Sequence, residues 1–235
     1  MASTMAAAEV RRIRSMPVII DRNGCDQLPR GGMLTRSLIP VYIDPGSWRG
    51  RRRVPTLSSA PVQSSSRAVL ITGCSSGIGA ATARHLAANG WDVWATARDP
   101  ERLADLRSAG CRTLALDLAD QASMADAVAA VEAEHGAVGA LVNNAGYSQS
   151  GAFEAVPMER VRAQFETNVY GLVELTRLVL PGMRRRRAGR IMNLSSMGGR
   201  LVFPGGAFYH ATKHAVEALS DALRFRCAAT ASTLS

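Results

Sequence analysis

Tyr209 and Lys213 are the residues of this chain best placed to do chemistry together. They stand four positions apart in Tyr209-His210-Ala211-Thr212-Lys213, and Lys213 is the only lysine among 28 basic residues. On a helix, residues at i and i+4 share a face. An ammonium held beside a phenol favours the phenolate and pulls the phenol below its ordinary pKa of about 10. A phenol so tuned can exchange a proton with a substrate oxygen. An amine is a compact charge and a guanidinium a broad planar fork. A chain that otherwise uses Arg, yet keeps one amine here, points to a tight site. A Tyr and a Lys at this spacing also occur on ordinary helix faces, so the elements around them decide the matter.

Those elements begin at Arg67. Residues 68–71 are a short apolar run of β-formers, followed by Thr72-Gly73-Cys74-Ser75-Ser76-Gly77-Ile78-Gly79 and a helical pattern stopped by Gly90. This reads as strand, glycine turn, helix. Gly73 allows the tight turn, Gly77 leaves room for a phosphate, and Gly79 lets the helix pack close to the strand. The free N–H groups at the helix start then face an anion. Further strands are expected at 91–96, 112–116, 140–143 and 190–194, with helices at 100–109, 120–135, 158–184 and 208–226. Pro100 suits a first helical turn, Asp120 an N-cap and Gly136 a helix stop. Alternating strands and helices predict an α/β fold, a doubly wound, Rossmann-like parallel sheet in three α/β/α layers with right-handed crossovers. Ligands then gather along one edge, outside the strand ends.

Composition narrows the function classes. The chain of 235 residues is 47% hydrophobic, enough for a sizeable core, and has no apolar run near the roughly 18 residues of a membrane span. Its four cysteines, Cys25, Cys74, Cys111 and Cys227, show no CxxC spacing. That argues against a metal site or a disulfide framework and fits a reducing, cytoplasmic setting. The net charge is +9, most of it in residues 1–66, which carry ten Arg against four acidic residues. Six prolines and several Gly, Arg and Ser runs interrupt that segment, which is read as a disordered extension with one short strand at 18–20 and a faintly transit-like start. The working domain is expected at 67–226, with an irregular tail at 227–235. Arg184-Arg185-Arg186-Arg187 reads as a solvated helix C-terminus rather than a nucleic-acid patch, so no nucleic-acid partner is expected.

With these motifs in place, the chain resembles the short-chain dehydrogenase/reductases over about residues 67–226. The glycine motif is Thr72-Gly73-x-x-x-Gly77-Ile78-Gly79, and the motif after the fourth strand is Asn143-Asn144-Ala145-Gly146. Thr167-Asn168-Val169 matches the helix asparagine, Asn193-Leu194-Ser195-Ser196 the catalytic serine, and Tyr209 with Lys213 the Tyr-x-x-x-Lys element. Ser196 stands thirteen residues before Tyr209, as the family pattern requires, and only that spacing chooses it over Ser195. The resemblance implies a nicotinamide-dependent oxidoreductase interconverting an alcohol and a carbonyl. Tyr209 would exchange the proton, Ser196 would hydrogen-bond the carbonyl oxygen, Lys213 would bind the nicotinamide ribose, and Asn168 would hold a water in the proton path. Thr72, Gly73, Ser75, Ser76, Gly77, Ile78, Gly79, Asp117, Leu118, Asn144, Ala145 and Gly146 would border the cofactor.

NADP(H) is favoured over NAD(H). An acidic residue at the end of the second strand would bind an adenosine ribose hydroxyl and repel a 2′-phosphate. That position is Ala97, followed by Arg98, and a guanidinium suits phosphate. Should Asp99 fold back to the site, NAD returns. Segments 147–156 and 197–208 would border an apolar substrate, and the helices at 158–184 and 208–226 resemble the pair that makes homo-oligomer interfaces in the family. After Phe225 the family continues with further strands and a substrate-covering loop that this chain lacks, so an exposed sheet edge beyond the fifth parallel strand is expected. Two other readings stay open: a cofactor-binding or interaction protein impaired in catalysis, and an Arg-rich tail carrying the domain as cargo.

Overall fold

The centre of the sheet is covered on both faces, which is why its central strand reads as a continuous apolar run rather than as an alternation. A computed structural model describes residues 66–229 and the strand β1 (Val18–Ile19). All four residues of β2 (Ala68–Ile71) are buried. This strand is flanked by β3 (Asp92–Ala97) and β5 (Ala140–Asn143), both parallel to it, with Leu70 opposite Trp94 on one side and Leu141 on the other. With β4 (Arg112–Ala115) and β6 (Arg190–Asn193) added, the order is β1-β6-β5-β2-β3-β4.

Alternate residues of β2 feed two cores, as the period of two demands. Val69 and Ile71 pack with Ala83, Val93, Leu103, Leu106 and Val142, on the side of α1 (Gly77–Ala88) and α2 (Ala104–Ser108). Ala68 and Leu70 pack with Val128, Val131, Leu141, Leu175, Val179 and Met183, on the side of α3 (Gln121–His135) and α5 (Gly171–Arg186). The ends of α3 follow the sequence signals. Asp120 accepts from the amides of Ala122 and Ser123, and Gly136 closes the helix at φ 71°.

The helix expected over 158–184 is broken. α4 (Met158–Phe165) gives way to a π-turn over Glu166–Tyr170 before α5 starts at Gly171. Gly171 abuts the Leu118 carbonyl, where a Cβ would stand 2.3 Å from that oxygen. Apolar spacing does not reveal one extra residue in a turn, so periodicity alone reads through it. The helix expected at 100–109 opens as a 3-10 turn, Pro100–Leu103, whose N-cap Asp99 accepts from the Glu101 amide.

The exposed edge expected beyond the fifth parallel strand is also corrected. β1 pairs antiparallel with β6, Val18 opposite Ile191, and covers part of that edge. A two-residue strand carries no pattern that names its partner. The final helix, α6 (Ala207–Ala229), runs three residues past its expected end. The rest of the proposed extension and residues 230–235 lie outside the described residues. No described helix is long and apolar enough to cross a membrane.

Candidate active site

β2 and β5 are neighbours whose following helices leave to opposite faces, α1 to one core and the α4–α5 segment to the other. Such a switch point opens a crevice outside the strand ends. A cavity of about 480 Å³ lies there, bordered by Thr72, Gly73, Ser75, Ser76 and Ile78 after β2, Asn144, Ala145 and Gly146 after β5, and Tyr209 and Lys213 from α6.

The glycines divide the labour as their spacing suggests. Gly73 sits at φ 71°, and a Cβ on it would stand 2.8 Å from the Ala145 Cα. A Cβ on Gly79 would stand 2.4 Å from the Gly73 carbonyl oxygen and 2.5 Å from Asn144 Nδ2. Gly77, at φ 59°, has open space where its side chain would be. Two glycines therefore serve packing and the third leaves room. Gly79→Ala is expected to cost about 1–3 kcal/mol, because its clash is with backbone that cannot step aside. A urea midpoint unchanged from the parent would count against this packing role.

Thr72 and Asn144 lock the two loops together. The Thr72 hydroxyl accepts from the amides of Asn144 and Ala145, both at 3.0 Å. In return, Asn144 Nδ2 donates to the carbonyls of Thr72 at 2.8 Å and Gly73 at 3.0 Å. Both residues line the cavity, but their polar atoms hold its floor together.

Lys213 is only 6% exposed. Its Nζ donates to the Leu194 carbonyl at 2.8 Å and lies 5.8 Å from the centre of the Tyr209 ring. Burial pushes the pKa of this amine down, since leaving water disfavours its charged form. An ammonium has three donors. One is spent on Leu194, and the other two have no protein acceptor among the described residues. Gly146 makes the crowding possible: a Cβ there would stand 3.1 Å from Asn168 Oδ1 and 3.7 Å from Lys213 Nζ.

Asn168 sits in the π-turn, almost fully buried, and does not border the cavity. Its Oδ1 accepts from the Tyr147 amide at 3.1 Å, while Nδ2 donates to the Tyr147 carbonyl at 2.9 Å and to Thr212 Oγ1 at 3.2 Å. The Thr212 hydroxyl donates in turn to the Tyr209 carbonyl at 2.7 Å. Asn168 therefore ties the loop after β5 to the helix carrying Tyr209, and both its side-chain N–H donors are engaged. Thr212 was not among the residues expected to act. Its only sequence signal is a hydroxyl residue standing between Tyr209 and Lys213.

Around the rim, Ser195 borders the cavity and Ser196 does not. Ser196 Oγ accepts from the Gly198 amide at 3.1 Å and caps the turn Met197–Gly199, whereas the buried Ser195 Oγ has no partner. Ala97 and Arg98 border the cavity, and Asp99 is turned into its own N-cap. Asp117 and Leu118 are also on the wall. Thr167, the neighbour of Asn168 in its motif, joins them, as do Leu116 and Ser148, which no motif singled out.

The residues present fit a nicotinamide dinucleotide. The space above Gly77, the uncapped start of α1 with no acidic residue in its first turn, and the unspent donors of Lys213 all suit an anionic, hydroxyl-rich ligand. Gly73, Ser75, Ser76 and Ile78 would hold its phosphates, Asp117 and Leu118 its adenine end, and Tyr209 and Lys213 its reactive end.

Comparison with known proteins agrees. The short chain dehydrogenase family matches residues 67–231. The chain is 41% identical over 156 residues to 3-ketodihydrosphingosine reductase of Bacteroides thetaiotaomicron, covering 66% of this chain and 56% of that protein. It is 38% identical over 213 residues to the mitochondrial D-beta-hydroxybutyrate dehydrogenase of Rattus norvegicus, covering 86% and 60%. Among solved structures, a short-chain dehydrogenase from Streptomyces avermitilis superposes with a TM-score of 0.68 at 43% identity, over 71% of this chain and 62% of that one. A metagenomic short-chain oxidoreductase in complex with NADP gives 0.66 at 32%, over 71% and 78%. The chain spans a little over half the length of the curated relatives it matches. Glycine turn, switch-point cavity and Tyr–Lys pair, together with a family match spanning most of the chain, make this protein a member of the short-chain dehydrogenase family.

Proposed function

We propose that this protein is an NADP(H)-dependent oxidoreductase that interconverts an apolar ketone and its alcohol. The observation that carries the reading is the meeting of Tyr209 and Lys213 with the glycine turn in one cavity. When bound, the nicotinamide supplies the hydride. Tyr209 Oη gives a proton to the carbonyl oxygen as negative charge develops there, and regains it from solvent. Lys213, fixed by the Leu194 carbonyl, holds positive charge beside that phenol and offers its remaining donors to ribose hydroxyls. Ser196 steadies the substrate oxygen in this scheme, which requires its hydroxyl to keep a donor free while accepting from Gly198. Asn168 contributes by holding Tyr147 and Thr212 in place.

Arg98 on the cavity wall, with Asp99 diverted into a cap, supports NADP(H) over NAD(H). Arg98→Ala is expected to lower the preference for NADPH about ten- to hundredfold, the worth of one or two charge-assisted bonds to a phosphate. Equal use of NADH by the parent chain would overturn the assignment. Exposed Phe153, Met197, Val202 and Phe203, with the Phe153 and Phe208 rings 5.0 Å apart, support an apolar substrate body. The keto group in the name of the Bacteroides relative supports a ketone. The reading includes a homo-oligomer through the α4–α5 and α6 helices, where Met158 and Tyr170 are exposed, and a reducing cytoplasmic setting, in keeping with the free thiols of Cys74 and Cys111. The test is a 2-decanone-dependent loss of NADPH absorbance that Tyr209→Phe abolishes. NADPH binding without turnover would favour a binding protein instead.

A further inference from the structure

His210 follows the proposed proton donor directly, yet it does not border the cavity and is 6% exposed. It is packed into a slot that exists because two glycines lack side chains. A Cβ on Gly198 would stand 2.5 Å from His210 Cδ2, and one on Gly206 would stand 2.6 Å from Cε1. Gly198 and Gly206 lie at opposite ends of the segment bearing Met197, Leu201, Val202 and Phe203, the exposed apolar residues on the substrate side. The ring thus sits inside the loop and fills it.

Three further contacts fasten the loop to that ring and its backbone. The Phe203 amide donates to His210 Nδ1 at 3.4 Å, and the Phe203 ring meets the imidazole edge-on, 5.6 Å between centres. The His210 amide donates to the Gly206 carbonyl at 2.9 Å. The bond from the Phe203 amide uses Nδ1 as its acceptor. The held loop then holds its neighbour: the Gly151 amide donates to the Gly205 carbonyl at 2.9 Å, and Phe153 stacks on Phe208. Both borders of the substrate side are therefore referenced to one imidazole on the helix that carries Tyr209.

We propose that His210 is a positioning residue that clamps the substrate-facing segment 197–206 onto the Tyr209 helix and so sets where a ketone lies relative to the phenol. This rests on the oxidoreductase reading for its consequence, but the clamp itself is a property of the chain alone. Loss of the imidazole frees the loop, so substrate affinity falls more than the rate of the bound complex. Asn at this position places an amide oxygen near the Nδ1 site and keeps the bond to Phe203.

The test uses the full chain with NADPH present, in parent, His210→Ala, His210→Asn, Gly206→Ala and the Gly206→Ala/His210→Ala pair. Amide exchange at Phe203 is expected to quicken about five- to tenfold in His210→Ala, the worth of one lost hydrogen bond, with the glycine turn unchanged. His210→Asn should restore most of the protection. Gly206→Ala should disturb the loop alone but add nothing on top of His210→Ala, since the ring it would strike is gone. With 2-decanone, KM should rise several-fold in His210→Ala with little change in kcat. Unchanged Phe203 exchange in His210→Ala, no rescue by His210→Asn, or additive effects of the two Ala changes would each overturn the clamp. A parent chain that binds NADPH but turns over no ketone would sink the oxidoreductase reading and leave the exchange data to judge the clamp.

Discussion

Replacing Tyr209 with Phe is expected to lower ketone reduction by about 100- to 10,000-fold, the usual range for removing a positioned general acid. The change deletes one oxygen and little else. Tyr209 is half-buried, and its backbone carbonyl, not its hydroxyl, receives the Thr212 bond at 2.7 Å. No hydrogen bond within the protein uses the phenol oxygen among the described residues, so the variant should fold as the parent does. The loss should fall on kcat, because the proton is needed only as charge develops on the carbonyl oxygen. NADPH binding, followed by fluorescence, should change little, because the glycine turn and Arg98 are untouched. A variant that keeps a tenth or more of parental turnover would show that some other group supplies the proton.

Much of this site is legible in the sequence because its parts are local. The glycine turn is one run of eight residues, in which Gly73 and Gly79 meet close backbone and Gly77 faces open space. Tyr209 and Lys213 are one helical turn apart, so a correct helix assignment is enough to put them together. The central strands are equally plain, since burial on both faces leaves β2 and most of β3 and β5 as apolar runs. What the sequence does not reveal is non-local. The partners of Asn168 are one example: its side chain bonds Tyr147 and Thr212, 21 and 44 residues away in the chain. The π-turn around it inserts one residue, too small a change to alter an apolar period. Thr72 and Asn144 read as cofactor ligands, yet seventy-two residues apart they spend their bonds on each other's loops. The edge pairing of β1 with β6 joins two residues to a strand more than 170 positions away, and no alternation in so short a piece could specify it.

The second large effect is expected at Lys213. Lys213→Met should reduce turnover by about 100-fold or more, since it removes the charge beside the proton donor. Lys213→Arg should not rescue it. A broad planar guanidinium does not reproduce the compact ammonium that Lys213 sets against the Leu194 carbonyl. Stability should move the other way with pH. Burial lowers the pKa of this amine below its value of 10.5 in an unfolded chain. Below the folded-state pKa, both states are protonated and the native state bears the whole cost of a buried charge. Between that pKa and 10.5, the unfolded chain holds a proton that the native protein has released. Stability therefore rises with pH across the window, and above it the cost is gone. Lys213→Met never carries the charge, so any stability advantage it has over the parent should be largest near neutral pH and shrink as pH approaches 10.5. Urea denaturation of both proteins without cofactor, at several values across that range, measures the difference directly. A gap that stays constant with pH would mean that the amine keeps its solution-like proton affinity in the folded chain. Bound NADPH should flatten the dependence, because ribose hydroxyls that accept from the amine favour its charged form, which burial alone disfavours.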